Sequence, residues 1–140
     1  MKRKMKRKNA LVLSKYQKVG VEKILNGFNN VTYVSKNQSI FNTCSFLLFD
    51  EPGLGKTIQA FQAVLQNIKL NKVELPTLVI CPASLIHIWD GDDYKNYFAN
   101  DFPNVYVFCT SNSAKIKFNS KSIVIISYTS LANIFKKHIS

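Results

Sequence analysis

"FDEPGLGKTIQA", residues 49–60, decides how this chain is read. Gly53 and Gly55 precede Lys56 and Thr57, between an apolar run and a helical pattern. Glycine lets a backbone approach a ligand closely and take positive φ. The amides of Gly53, Leu54, Gly55, Lys56 and Thr57 are therefore expected to form an anion-binding nest. A helix from Thr57 adds its positive N-terminal end. In such a loop the lysine reaches the β- and γ-phosphates of a nucleotide, and the threonine hydroxyl ligates magnesium. The common motif wants glycine where Asp50 stands, so a literal match fails. Pro52 has no N–H to offer, but it lies upstream of the amides that do the cradling.

Working outward, "SFLLF" (45–49) is a short, fully apolar run, the mark of a strand buried on both faces. "TIQAFQAVLQNIKL" (57–70) has helical periodicity. So does "LSKYQKVGVEKILNG" (13–27), with Tyr16, Val19, Ile24 and Leu25 at near-helical spacing, Ser14 as N-cap and Gly27 as stop. Residues 28–43 are rich in Asn and Ser and read as a loop with at most a short irregular strand. "TLVIC" (77–81), "VYVFC" (105–109) and "SIVIIS" (122–127) read as further strands. "ASLIHIWDGDDYKNYF" (83–98) reads as a helix after Pro82, with Gly91 a candidate break, and "YTSLANIFKKHI" (128–139) closes as a helix. Strands alternating with helices imply an α/β fold: a mostly parallel sheet, right-handed crossovers and helices on both faces. Ligands of such sheets sit at the carboxyl ends of the strands. The glycine loop is expected there, directly after "SFLLF".

With 140 residues the chain suffices for one domain, which at this size buries about 68–70% of its unfolded surface. Its apolar runs are far shorter than the roughly 18 residues of a membrane span, so no membrane association is expected. The net charge is +11, and Lys2, Arg3, Lys4, Lys6, Arg7 and Lys8 concentrate much of it. Residues 1–9 are expected to be a basic, disordered tail, with an ordered domain over 10–140. A basic balance suits a polyanionic partner, nucleic acid first. A Lys-, Asn- and Ile-rich composition of the kind AT-rich coding produces is the bland alternative for the charge outside the tail. Cys44, Cys81 and Cys109 form no close pair and read as reduced thiols of an intracellular protein.

At this point the aspartate stops being odd. "FLLFDEPGLGKTIQA" resembles the first ATPase motif of the Swi/Snf family, DNA-translocating ATPases of helicase superfamily two, whose loop reads Asp-Glu-Met-Gly-Leu-Gly-Lys-Thr followed by Ile-Gln. Pro52 in place of methionine is the departure. "LSKYQKVGVEKIL" resembles that family's upstream glutamine motif. "LPTLVICPASLIHIW" resembles its next motif, and "SIVIISYTSL" its later Ser-Tyr segment. The resemblance implies a RecA-like phosphate-loop lobe, with ATP and magnesium as cofactors and double-stranded DNA as partner. It further implies that Gln17 reads adenine, since a side-chain amide pairs with N6 and N7. The alternative for Gln17 is an exposed helix residue. Ser84, in the turn "PASL", would contact the DNA backbone; its alternative is a helix N-cap. Trp89 reads as a core anchor. Asp50 and Glu51 would shape the loop without being the catalytic carboxylates. The compartment would be the nucleus in a eukaryote and the cytoplasm otherwise.

Hydrolysis needs a carboxylate for magnesium, a group that orients water, and cations for the transition-state charge. In the family the first two come from an Asp-Glu-x-His segment, and these 140 residues contain none. No arginine occurs beyond Arg7 to act as a finger. The lobe is therefore expected to be incomplete and to hydrolyse ATP poorly by itself, with a second polypeptide a candidate source of the missing groups. A nucleotide- or DNA-binding module without catalysis is the competing expectation.

Overall fold

The computed structural model describes residues 10–28, 31–34, 40–43, 46–108 and 117–139. The basic tail, Cys44 and Cys109 lie outside them. The chain divides into two compact units, one spanning Val12–Lys72 and the other comprising Ala10, Leu11 and the described residues from Val73 onward.

The first unit opens with helix α1 (Lys15–Phe28). Ser14 caps it in a reciprocal box: the Gln17 N–H faces Ser14 Oγ at 3.4 Å, and the Ser14 N–H donates to Gln17 Oε1 at 2.9 Å. The helix runs one residue past Gly27. Helix α2 (Lys56–Asn71) ends at Lys72, which takes the left-handed conformation and donates its N–H to the Ile68 carbonyl. Val21 and Ile24 of α1 and Ala63 of α2 form a buried cluster, with Leu13, Leu25, Phe28 and Leu48 packed around it. The i, i+3 spacing of Val21 and Ile24 puts both on one helical face, and Ala63 lets the two helices approach closely.

Two expectations fail in this unit. The Asn- and Ser-rich region contains an antiparallel pair, β1 (Val31–Val34) and β2 (Ile40–Thr43), with Val31 opposite Thr43 and Val34 opposite Ile40. Both segments are rich in β-branched and aromatic residues, which outweigh the polar neighbours. Conversely, residues 46–49 of the expected strand "SFLLF" form no ladder; Leu47 is 75% exposed and Phe49 87%. Apolar character supplies no partner for backbone N–H and C=O groups, and the two described strands of this unit pair with each other. Leu48 alone of these four residues packs toward the core cluster. The glycine loop thus follows an irregular segment.

The second unit carries a parallel sheet in the order β3 (Thr77–Cys81), β5 (Ser122–Ser127), β4 (Asn104–Val107). Val79 pairs with Ile125, and Val105 with Ile123. Central β5 is buried almost throughout, as a flanked parallel strand should be. Edge strand β3 differs from its expected two-sided burial: Val79 and Cys81 are buried, whereas Leu78 is 56% exposed. After Pro82 come a 3₁₀ turn (Ala83–Leu85), the short helix α3 (Ile86–Trp89) and, beyond the break at Gly91, a π-helical turn (Tyr94–Phe98). A Cβ at Gly91 would meet the His87 carbonyl oxygen at 2.5 Å, which is why the chain passes there as glycine. Phe98 and Phe102 are fully buried, and Tyr94 donates to the Phe102 carbonyl at 2.7 Å. Helix α4 (Tyr128–Ile139) begins after Ser127, whose Oγ accepts the Ser130 N–H at 3.1 Å. Among the described residues no helix is long and apolar enough to cross a membrane.

Candidate functional site

The loop 50–57 lies in the first unit. Gly53 and Gly55 take φ of 82° and 76°, while Leu54 between them does not have positive φ. Such alternation turns successive N–H groups toward one side, the geometry of an anion nest. Gly55 is the N-cap of α2 and brings no side chain to its first turn. The opening amides of α2 are therefore not satisfied by a side-chain cap. Helix α2 starts at Lys56, one residue earlier than expected, so Lys56 and Thr57 both stand in its first turn.

Lys56 folds back along the loop. Its Nζ donates to the carbonyl oxygens of Asp50 at 2.7 Å and Glu51 at 2.9 Å. Asp50 and Glu51 do shape the loop, through main-chain oxygens that position the lysine. The Asp50 carboxylate engages a different partner, its Oδ2 accepting from Gln59 Nε2 at 2.8 Å. Gln59 is completely buried on α2. Thr57 is half-buried.

The Leu54 carbonyl collects donors from both helices. Tyr16 Oη donates to it, Gln17 Nε2 lies at 3.4 Å and Gln59 Nε2 at 3.5 Å. A Cβ at Gly55 would meet Gln17 Nε2 at 2.4 Å. Gln17 is therefore neither a free surface residue nor remote from the loop. Its oxygen caps α1 and its nitrogen faces the loop backbone. The fold brings Gln17, Gly53, Leu54, Gly55, Lys56 and Thr57 into one neighbourhood. Sequence reasoning missed Tyr16 and Gln59 here. The letters "YQ" and "TIQ" stood in the motifs, but nothing in them told which polar groups are buried against the loop.

Ser84 lies in the second unit, exposed on the 3₁₀ turn. It caps no helix: the cap positions fall on Pro82 and Leu85, and neither makes a side-chain cap bond. Trp89 is half-buried. A shallow cavity of about 360 Å³ lies beside His87, Ile88, Gly91, Asp92 and Asp93. Among the described residues no three His, Cys, Asp or Glu side chains gather as a metal site.

The SNF2-related domain profile matches residues 6–140. The chain is 33% identical over 96 residues to the ATP-dependent helicase ULS1 of Saccharomyces cerevisiae, covering 66% of this chain and 6% of that protein. It is 35% identical over 103 residues to an ATP-dependent helicase of Mycoplasma genitalium, covering 74% of this chain and 8% of the relative. It thus spans less than a tenth of either relative's length. Among solved structures, the SWI2/SNF2 ATPase core of Sulfolobus solfataricus in complex with dsDNA superposes with a TM-score of 0.59 at 25% identity. That match covers 91% of this chain and 24% of the other.

Proposed function

The chain belongs to the SNF2-related domain family, with the α/β architecture of the N-terminal part of a RecA-like lobe, and from that premise we propose that it is the ATP-binding portion of a DNA-dependent ATPase. The observation that carries the reading is the loop itself: alternating positive φ at Gly53 and Gly55, an α2 N-terminus without a side-chain cap, and Lys56 in its first turn. The amides of Gly53 to Thr57 hold the phosphates. Lys56 exchanges its two carbonyl partners for β- and γ-phosphate oxygens, a charge-assisted replacement that strengthens its bonds. Thr57 supplies a hydroxyl to magnesium. Gln17 is the adenine reader in this proposal, its amide turning from the Ser14 N–H and the Leu54 carbonyl to pair with the base. When bound, magnesium supplies charge neutralisation between the phosphates.

Duplex DNA is the proposed polymer partner, with Ser84 a backbone contact and the basic residues 2–8 a phosphate-binding arm. The Sulfolobus core was solved on dsDNA, which supports this choice. Residues 10–140 act as the lobe and 1–9 as its arm. An intracellular location belongs to the same proposal, in the nucleus of a eukaryote or otherwise in the cytoplasm. These 140 residues include no Asp-Glu-x-His segment, so by themselves they bind nucleotide without appreciable turnover. A second lobe or polypeptide supplies the carboxylates and the arginine finger.

Calorimetric titration of magnesium-ATP into the wild-type chain and Lys56→Ala tests the site. Saturable binding that Lys56→Ala weakens supports it; equal binding by both rejects it. Magnesium- and DNA-dependent phosphate release by the 140-residue chain, abolished by Lys56→Ala, would show that the chain is catalytic by itself. DNA binding that weakens steeply with salt and requires residues 2–8, without nucleotide binding, would favour a DNA-binding module instead.

A further inference from the structure

We propose that Tyr16 and Gln59 are positioning residues of the phosphate loop: from α1 and α2 they hold the Leu54 carbonyl and so fix the direction of the Gly55 N–H. The proposal rests on the phosphate-loop reading above. The Leu54–Gly55 peptide is bounded by the ψ of Leu54, which can pass between the helical and extended regions, and by the φ of Gly55, which is positive at 76°. Glycine crosses its conformational map at little cost, so nothing local prevents this peptide from turning over. In a trans peptide the C=O and N–H point in opposite directions. Whatever holds the oxygen therefore aims the hydrogen.

Tyr16 Oη donates to this oxygen from the first turn of α1, and Gln59 Nε2 lies at 3.5 Å from it. With the carbonyl drawn toward the two helices, the Gly55 N–H faces away from them, toward bound phosphate. Gln59 is itself fixed. Its nitrogen donates to Asp50 Oδ2 at 2.8 Å, and its side chain is wholly buried. Its Oε1 has no hydrogen-bond partner among the described residues and faces Gly20, where a Cβ would stand 1.9 Å away. An apolar side chain would fill this slot without leaving an acceptor unpaired. The glutamine is explained by its donor end, which joins Asp50 and Leu54 to α2. Gly20 is explained by the room the glutamine needs.

Tyr16→Phe removes only the hydroxyl of a partly exposed ring and leaves the fold in place. Its effect is read in the 140-residue chain by ¹⁵N relaxation of the Gly53–Lys56 amides without nucleotide, and by calorimetry with magnesium-ADP, magnesium-pyrophosphate and adenosine. The loop amides become more mobile in the variant. ADP and pyrophosphate weaken by a common factor of about threefold to tenfold, the range for one lost hydrogen bond. Adenosine binding does not change, a split that general destabilisation would not produce. Gly20→Ala weakens pyrophosphate in the wild-type background but adds little once Gln59→Ala has vacated the slot. If the wild type binds ADP and pyrophosphate, Lys56→Ala weakens both, and Tyr16→Phe alters neither affinity nor relaxation, the clamp is wrong while the phosphate loop stands. A wild type that binds neither ligand overturns the phosphate-loop reading and this proposal with it.

Discussion

The Lys56 ammonium donates to the backbone carbonyl of Asp50 at 2.7 Å, with the adjoining Glu51 carbonyl at 2.9 Å. The lysine is thus held by neutral acceptors of its own loop. Phosphate oxygens carry negative charge, so bonds to them add Coulombic attraction to the hydrogen bond. Lys56→Ala is expected to lower ATP affinity by more than about tenfold, while the unfolding free energy changes by under about 1 kcal/mol. Calorimetry and urea unfolding on the same variant measure both, and a large stability loss would instead make Lys56 a structural brace.

The two loop glycines are predicted to differ. Alanine in the left-handed region costs roughly 1–2 kcal/mol at either position. Gly53 has no heavy atom within 4 Å of a Cβ, whereas at Gly55 the Cβ meets Gln17 Nε2 at 2.4 Å. Gly55→Ala should therefore destabilise the chain more than Gly53→Ala and displace Gln17 from Leu54. Equal urea midpoints for the two variants would contradict this.

Asp50 should act through Gln59. Asp50→Ala leaves a buried amide donor with only the Leu54 carbonyl at 3.5 Å, a loss of about 1–3 kcal/mol. Asp50→Asn retains an acceptor oxygen and should cost less. If both variants unfold at the same urea concentration, the carboxylate–amide bond does not stabilise the fold.

In the sheet unit, Tyr94→Phe removes a buried hydroxyl that donates to the Phe102 carbonyl and should cost about 1–2 kcal/mol. Burial, and secondarily Asp90, push the Tyr94 phenol up. A raised pKa means that the folded chain binds the proton more tightly. The resulting stability is full below the ordinary tyrosine pKa and is lost as pH rises through the folded value. The wild type should consequently lose more stability than Tyr94→Phe above about pH 10, as urea unfolding across pH would show.

Burial likewise pushes the Cys81 thiol up. The thiolate is the reactive form, so iodoacetamide should modify Cys81 at least about tenfold more slowly in the native chain than in urea. Mass spectrometry of the digested chain distinguishes Cys81 from Cys44 and Cys109. Equal rates in the two states would mean that the end of β3 is open to solvent.

Much of the architecture was legible because it is locally encoded. The Ser14 cap, the break at Gly91 and the span of α4 all follow from residues within a turn of one another. The strands at 77–81 and 122–127 were legible as uninterrupted apolar runs, and the core of 105–109 forms β4. The hairpin escaped because pairing Val31 with Thr43 is a nonlocal event masked by Asn and Ser nearby. "SFLLF" misled because an apolar run predicts burial, yet a ladder also needs a neighbouring edge. In the site, the glycine–lysine–threonine pattern pointed to residues 53–57, and the family resemblance pointed to Gln17.

The sequence by itself determined the loop: two glycines, a lysine and a threonine ahead of a helical segment dictate a backbone that curls and a helix end that presents amides. Only the tertiary structure decided what holds that loop. Gly20 and Gln59 lie 39 positions apart and Tyr16 and Leu54 lie 38 apart, and no local pattern links them. They meet because Val21 and Ile24 on α1 share a core with Ala63 on α2, and that packing carries the polar ends of Tyr16, Gln17 and Gln59 to one carbonyl.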